Sequence, residues 1–254
     1  DWVVAAGSYW RPTLAAAFEV PEDRVAVTGM PRCDLLTQTP TAHQTSALAA
    51  LLGDRSAART SIWLPTYRMS VTGDVREDGT ERGNPFQVPN ADIPTIDEAF
   101  AATDTVCLVK SHPMSPSYEA AELSNVVFIT DEDLERVGLD LYTLTAMTDL
   151  LLTDVSSVWL DYLVTGKPIV FFLPDMDDYR NTRGMIDDSY EDLVPGPVAE
   201  NAAQLKAALA GLLDNDTYAA RREERRMELN EGSDGHSSLN VLRLLDLVDE
   251  PRAH

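Results

Sequence analysis

The chain has 254 residues, enough for one large or two small domains. Its apolar share of 44% supports a real core, and no apolar run reaches the ~18 residues of a transmembrane helix. Forty-two acidic against 20 basic residues leave a formal charge of −22, a surface that repels nucleic acid and anionic lipid.

In chain order, residues 2–7 read as a strand, residues 9–19 as a helix with Pro12 in its first turn, and residues 25–28 as a second strand. Together they make one βαβ unit. The sequence enters this unit abruptly, which reads as a piece of a longer protein. Residues 37–60 hold a polar Thr/Gln stretch and then an Ala/Leu helix over residues 46–52. Residues 62–64 form a strand that ends at Pro65-Thr66-Tyr67-Arg68. Residues 70–94 are rich in Gly, Asp, Glu, Asn and Pro and lack periodicity, which predicts a long loop of the kind that carries function or moves. Next come a helix over 95–103 and a strand over 105–110 ending in Ser111-His112-Pro113. A strand over 126–129 ending at Thr130-Asp131 and a helix over 139–147 follow. Residues 174–197 read as a loop, and a polar helix over 202–213 and a charged helical region close the chain.

Residues 149–173 are the most informative stretch. The apolar run Leu150-Leu151-Leu152 stops at Thr153-Asp154, Ser156 and Ser157 follow, an amphipathic stretch runs to Thr165, and a second apolar run starts at Pro168. This is strand, tight loop, helix, strand, a parallel βαβ unit. Free N–H groups and two hydroxyls at the helix start make an anion site without a basic residue. Asp161, one helical turn on, is near enough to reach a sugar hydroxyl. Such an arrangement suits a nucleotide diphosphate, although serine at a helix start also serves as a plain cap.

Alternation of strands and helices predicts an α/β fold, a Rossmann-like parallel sheet with helices on both faces, whose site lies at the carboxyl ends of the strands. Arg32, Arg68, His112, Asp131, Ser156, Ser157 and Arg183 all fall at those ends. Several have a plainer reading. His112 is a structural strand-end histidine, Arg68 a surface arginine, and Arg183 a partner of the acids Asp175, Asp177, Asp178, Asp187 and Asp188. Asp161 caps the helix dipole or pairs with a basic neighbour. Arg221, Arg222, Arg225 and Arg226 form a basic helical cluster that either pairs with Glu223, Glu224 and Glu228 or docks at a membrane surface. Cys33 and Cys107 are far apart and the four histidines are scattered, so neither a disulfide framework nor a zinc site is indicated. The acidic surface, with Lys110, Lys167 and Lys206 as its lysines, is of the kind found in salt-adapted proteins, although a GC-rich genome also favours arginine over lysine.

Several segments, in order, resemble the CDP-glycerol glycerophosphotransferases, the teichoic acid primases and polymerases. They are Gly29-Met-Pro-Arg-Cys-Asp, Leu64-Pro-Thr-Tyr-Arg68, Ser111-His-Pro113, Asp149 to Asp161 with Pro168 after it, Tyr179-Arg-Asn-Thr-Arg-Gly184, Pro195-Gly-Pro197 and Asp234-Gly235. The resemblance implies a glycosyltransferase-B architecture. Residues 1–36 would be the last βαβ unit of an N-terminal, acceptor-side domain with its link, and residues 37–254 a C-terminal CDP-donor-binding domain. It further implies that Arg68, His112, Ser156, Ser157 and Arg183 contact the pyrophosphate, that Asp161 faces the ribose, and that Ile129 and Asp131 lie by the cytosine.

On this resemblance, glycerol phosphate or a related alditol phosphate passes from CDP-glycerol, or a similar CDP-activated donor, to a hydroxyl of a polymer or lipid-linked acceptor. His112 would stabilise the leaving group, and no metal or other cofactor is implied. The resemblance further implies a catalytic base that is a histidine of the N-terminal domain, of which the sequence holds almost nothing beyond residues 1–36, and His43 stands in the wrong context to replace it. The implied location is cytoplasmic, at the inner face of the membrane, and nucleic acid is not a partner. Two further readings stand beside this one: a nucleotide-binding module without turnover, and a glycosyltransferase-B enzyme that uses another nucleotide sugar.

Overall fold

The computed structural model describes residues 1–66, 84–110, 123–182 and 190–248. Near the N-terminus, β1 (Val3–Ala5), α1 (Arg11–Ala17) and β2 (Val25–Val27) form the expected βαβ unit, with Pro12 in the first turn of α1. β1 and β2 pair in parallel, Val3 opposite Val25. A 3-10 segment, Pro31–Thr37, leads out of it.

The rest is built on a six-stranded parallel sheet. Its strands are β3 (Arg59–Leu64), β4 (Thr105–Lys110), β5 (Val126–Ile129), β6 (Leu150–Thr153), β7 (Ile169–Phe172) and β8 (Val198–Ala199). They lie in the order β5-β4-β3-β6-β7-β8. The chain thus starts in the middle of the sheet, winds outward to one edge, returns, and winds to the other. That is the doubly wound Rossmann order, and its reversal point lies between β3 and β6.

Every residue of β4, β6 and β7 is buried, as strands covered on both faces must be. Side chains alternate between two cores. Ile62, Leu64, Leu108, Leu151, Ile169 and Phe171 face one side. There they meet α2 (Ala42–Leu52), α4 (Asp131–Val137), α5 (Leu141–Met147) and α6 (Val158–Tyr162) through Ala47, Leu134, Leu144 and Trp159. Trp63, Cys107, Val109, Leu152, Val170 and Phe172 face the other side. α3 (Ile93–Ala101) and α9 (Ala202–Asp214) cover that side with Ile96, Phe100, Leu205 and Leu209.

Several boundaries differ from the sequence expectation for local reasons. α2 begins four residues before the expected Ser46, because Thr41 and Gln44 form a reciprocal capping box, Gln44 N donating to Thr41 Oγ1 at 3.3 Å and Thr41 N to Gln44 Oε1 at 2.8 Å. The unexpected α4 follows β5 directly. Thr130 and Asp133 cap its start, and Gly138 ends it in the left-handed conformation. The stretch 174–197, expected to be a loop, contains α7 (Met176–Thr182) and α8 (Tyr190–Leu193). β8 also escaped the sequence reading, being two residues long. It reaches its neighbour through Gly196, where a Cβ would lie 2.1 Å from the Ile169 carbonyl oxygen.

α10 (Ala219–Leu229) and α11 (Ser237–Leu244) close the chain. The α10 arginines are engaged rather than presented to a surface. Arg222, 2% exposed, pairs with Asp216 and donates to the Gly166 carbonyl at 3.2 Å. Arg221 donates to the Asp192 carbonyl, Arg225 to the Leu193 carbonyl at 3.1 Å, and Arg226 pairs with Glu223 at 2.8 Å. Of the two readings of this cluster, the structure has the paired one. No helix among the described residues is long and apolar enough to cross a membrane.

The charge of −22 makes a prediction here. Self-repulsion is screened by ions, with a Debye length of ~10 Å at 0.1 M and ~3 Å at 1 M salt. The melting temperature should rise by a few degrees, about 1 kcal/mol of stability, between dilute buffer and molar potassium chloride. A scan that shows no change would remove the electrostatic argument.

Candidate active site

The crevice between β3 and β6 is where a sheet of this order places its ligand. At its carboxyl-end rim, Thr66 follows β3, and Asp154 to Ser157 follow β6. Asp154 is fully buried and ties the rim together. Its carboxylate accepts from Thr66 N at 2.9 Å, Thr66 Oγ1 at 2.8 Å and Ser156 N at 3.0 Å. Its carbonyl accepts from the Tyr190 hydroxyl at 3.0 Å, which joins α8 to the same point. The sequence reading stopped its strand at Thr153-Asp154 and gave Asp154 no part. A carboxylic acid between an apolar run and a Ser-Ser pair was the available signal.

Ser156 is half-buried and Ser157 exposed. Because the Ser156 N–H is used by Asp154, the groups left for an anion are the two hydroxyls and the next N–H groups. The Ser156 hydroxyl is only loosely held, accepting from Val158 N at 3.5 Å, and Ser157 makes no cap hydrogen bond with its side chain.

Asp161 is 5% exposed and sits in a tight polar knot. It accepts from Arg32 Nε at 2.7 Å and Nη2 at 3.1 Å, from the Tyr142 hydroxyl at 2.6 Å, and from Cys33 Sγ at 3.4 Å. Arg32 and Cys33 come from the 3-10 segment after β2, and Tyr142 from α5. The pairing with a basic neighbour, one of the two plainer readings of Asp161, is thus present. Burial works against the Arg32 charge, yet the hydrogen bonds and attraction of Asp161 leave its pKa raised. Burial and then the Asp161 charge raise the Tyr142 phenol. The same two causes push the Cys33 thiol up to about 12. Both groups therefore stay protonated donors near neutral pH, and Cys33 is no nucleophile.

On the other arm of the sheet, Lys110 ends β4 with its side chain buried and pairs with Asp131 at 3.0 Å. Asp131 opens α4 and is largely exposed. Ile129 is the last residue of β5 and packs its side chain into the core. Arg68, His112 and Arg183 lie outside the described residues. Among the described residues, no group of three His, Cys, Asp or Glu side chains could hold a metal ion.

The sequence profile of the family described as CDP-Glycerol:Poly(glycerophosphate) glycerophosphotransferase matches residues 1–247. The chain belongs to this family. Among its relatives is the teichoic acid ribitol-phosphate polymerase TarL of Staphylococcus aureus, 28% identical over 92% of this chain and 39% of the relative. The teichoic acid glycerol-phosphate transferase of the same organism is 30% identical over 82% of this chain and 50% of its own length. The chain therefore spans half or less of these two relatives. The solved structure of the wall teichoic acid polymerase TagF superposes on 97% of the chain and 58% of its own length, with a TM-score of 0.71 at 20% identity. The UDP-GlcNAc 2-epimerase of Neisseria meningitidis superposes on 96% with a TM-score of 0.53 at 15% identity. These likenesses place the fold in the glycosyltransferase-B class. The family's members are transferases of phosphate-containing groups in teichoic acid synthesis.

Proposed function

We propose that this chain carries the donor-binding part of an enzyme that transfers glycerol phosphate, or a related alditol phosphate, from a CDP-activated donor to a hydroxyl group. The acceptor is a teichoic-acid-like polymer or a lipid-linked primer. The family match over residues 1–247 carries this reading, and the geometry of the β3–β6 crevice supports it.

In this reading the donor pyrophosphate rests on the Ser156 and Ser157 hydroxyls and adjacent N–H groups, with Arg68, His112 and Arg183 as further ligands. The acceptor oxygen attacks the phosphorus that bears the alditol. A new P–O bond forms, the bond to the bridging oxygen breaks, and CMP departs with the electron pair. His112 and the arginines stabilise the negative charge that develops on it. Asp131 and the Ile129 main chain lie on the cytosine side. Asp161 already accepts four donors, the full capacity of a carboxylate, so in this reading it holds Arg32 and Tyr142 beside the donor rather than a ribose hydroxyl. Residues 1–36 belong to the acceptor-side domain and residues 37–254 to the donor domain. The base that takes the acceptor proton lies outside this chain, which works in the cytoplasm, at the inner face of the membrane. General-base catalysis contributes ~10²–10⁴-fold, so the chain by itself should bind donor and turn it over negligibly.

Calorimetry tests this. CDP-glycerol, CDP-ribitol and CMP should bind, and UDP-glucose should not. Ser156→Ala should weaken CMP and CDP-glycerol about tenfold, the loss of one hydrogen bond to a charged group, with the folded fraction checked by melting. Failure of every cytidine nucleotide to bind, or equal binding of UDP-glucose, would overturn the reading.

A further inference from the structure

Beside the β3–β6 crevice the structure contains a recess between the N-terminal βαβ unit and α6. Its volume is about 190 Å³, below the ~300–1,000 Å³ of pockets that take drug-sized ligands. Its walls are mostly apolar: Val4, Trp10, Leu14, Met30 and Leu160. The polar groups on its lining are Ser157, Arg32 and Asp161. Ser157 is therefore shared: it belongs to the helix start to which the donor pyrophosphate is assigned, and it also borders this recess.

Arg32 is the unusual member of this lining. Its side chain is 47% exposed, yet its head is fixed. Asp161 grips Nε and Nη2, and the Tyr142 hydroxyl in turn holds the Asp161 oxygen that receives Nε. A guanidinium has five N–H donors, and this grip uses two of them. The remaining edge is held in place at the lining of this recess, in a protein whose net charge is −22. A guanidinium that must meet a planar fork of anionic oxygens gains from losing no side-chain entropy on binding.

We propose that Arg32 is a phosphate-binding residue and that this recess is the subsite for an alditol phosphate. Asp161 and Tyr142 are its positioning residues. The apolar walls take the carbon chain, and the free edge of Arg32 takes the phosphate oxygens. The proposal rests on the donor-site reading for the place of the pyrophosphate, but the recess and the Arg32 geometry stand apart from it. An alditol phosphate can come from two sources, the group being transferred or the last unit of the acceptor.

Calorimetry on the parent protein, Arg32→Gln and Arg32→Lys separates these, with melting of each variant to correct for the folded fraction. The ligands are CMP, CDP-glycerol, glycerol 3-phosphate alone, and glycerol 3-phosphate with CMP already bound. Arg32→Gln should leave CMP within twofold of the parent and lose about tenfold for ligands that carry an alditol phosphate. Arg32→Lys keeps the charge without the fork and should lose less. A loss confined to CDP-glycerol assigns the recess to the transferred group. A loss confined to glycerol 3-phosphate assigns it to the acceptor. If the parent binds CMP and no arm responds to Arg32→Gln, the Arg32 subsite is wrong and the donor reading stands. If no cytidine nucleotide binds but glycerol 3-phosphate binds through Arg32, the subsite stands and the donor reading fails. A parent that binds none of these ligands overturns both.

Discussion

Asp161→Ala should destabilise the protein by about 3 kcal/mol, the lower end of the ~3–5 kcal/mol cost of breaking a buried charge pair. The carboxylate receives four donors from three pieces of chain: Arg32 twice, the Tyr142 hydroxyl and the Cys33 thiol. Alanine leaves the half-buried phenol and the fully buried thiol facing a void. Arg32 is about half exposed and regains water, which is why the lower end applies. For a protein of this size each kcal/mol moves the melting temperature by ~2–4 °C, so a fall of roughly 6–12 °C is expected. Tyr142→Phe removes one donor and keeps the ring, and should cost about 1–1.5 kcal/mol. A melting temperature of Asp161→Ala within one degree of the parent would mean that the knot holds nothing together.

Gly29→Ala is expected to be of the same order, roughly 2–5 kcal/mol. Gly29 has φ +74°, a left-handed conformation that costs a residue with a Cβ about 1–2 kcal/mol. Overpacking adds about 1–3 kcal/mol. The added carbon would lie 2.2 Å from the Gly232 carbonyl oxygen and 2.4 Å from Ser237 Oγ. The Ser237 hydroxyl can rotate away, but the Gly232 backbone cannot easily yield. Gly232 N donates to the Ala6 carbonyl at 2.8 Å, and Met30 N donates to Ser233 Oγ at 3.1 Å. Trp10 Nε1 and Ser8 N bind the same returning segment, at the Leu229 carbonyl and Glu231. Asn230 joins that segment to α6 through the Leu160 carbonyl. Gly29 is thus the point where the chain's end closes over its beginning, and alanine there should release residues 230–237 to proteolysis. Gly166→Ala is the control. It has φ +66° and nothing within 4 Å of a built Cβ, so it should show the backbone cost alone. Equal melting of the two variants would refute the contact argument.

Much of the scaffold was legible in the sequence because parallel strands are buried on both faces. Such strands must be short apolar runs, and residues 105–110 and 126–129 were placed to the residue. The Ser156-Ser157 helix start was legible for the same reason, lying between two such runs. The short elements α4, α7, α8 and β8 were not. α4 depends on a capping exchange between Thr130 and Asp133, which competes with the turn reading that the same polar residues invite. β8 exists because Gly196 lets two main chains approach, a fact about a neighbour 27 positions away.

The sequence by itself determined the parallel α/β sheet and the family, because periodicity and motif order are local properties of the chain. Only the tertiary structure decided that Asp154 binds the two crevice strands together, that the Ser156 N–H is already used, and that Asp161 grips an arginine 129 positions away. Those are partnerships across long sequence separations. A carboxylate's partner is fixed by which loops the fold brings to the same rim and by how little water remains there, and neither is written in the residues on either side of it.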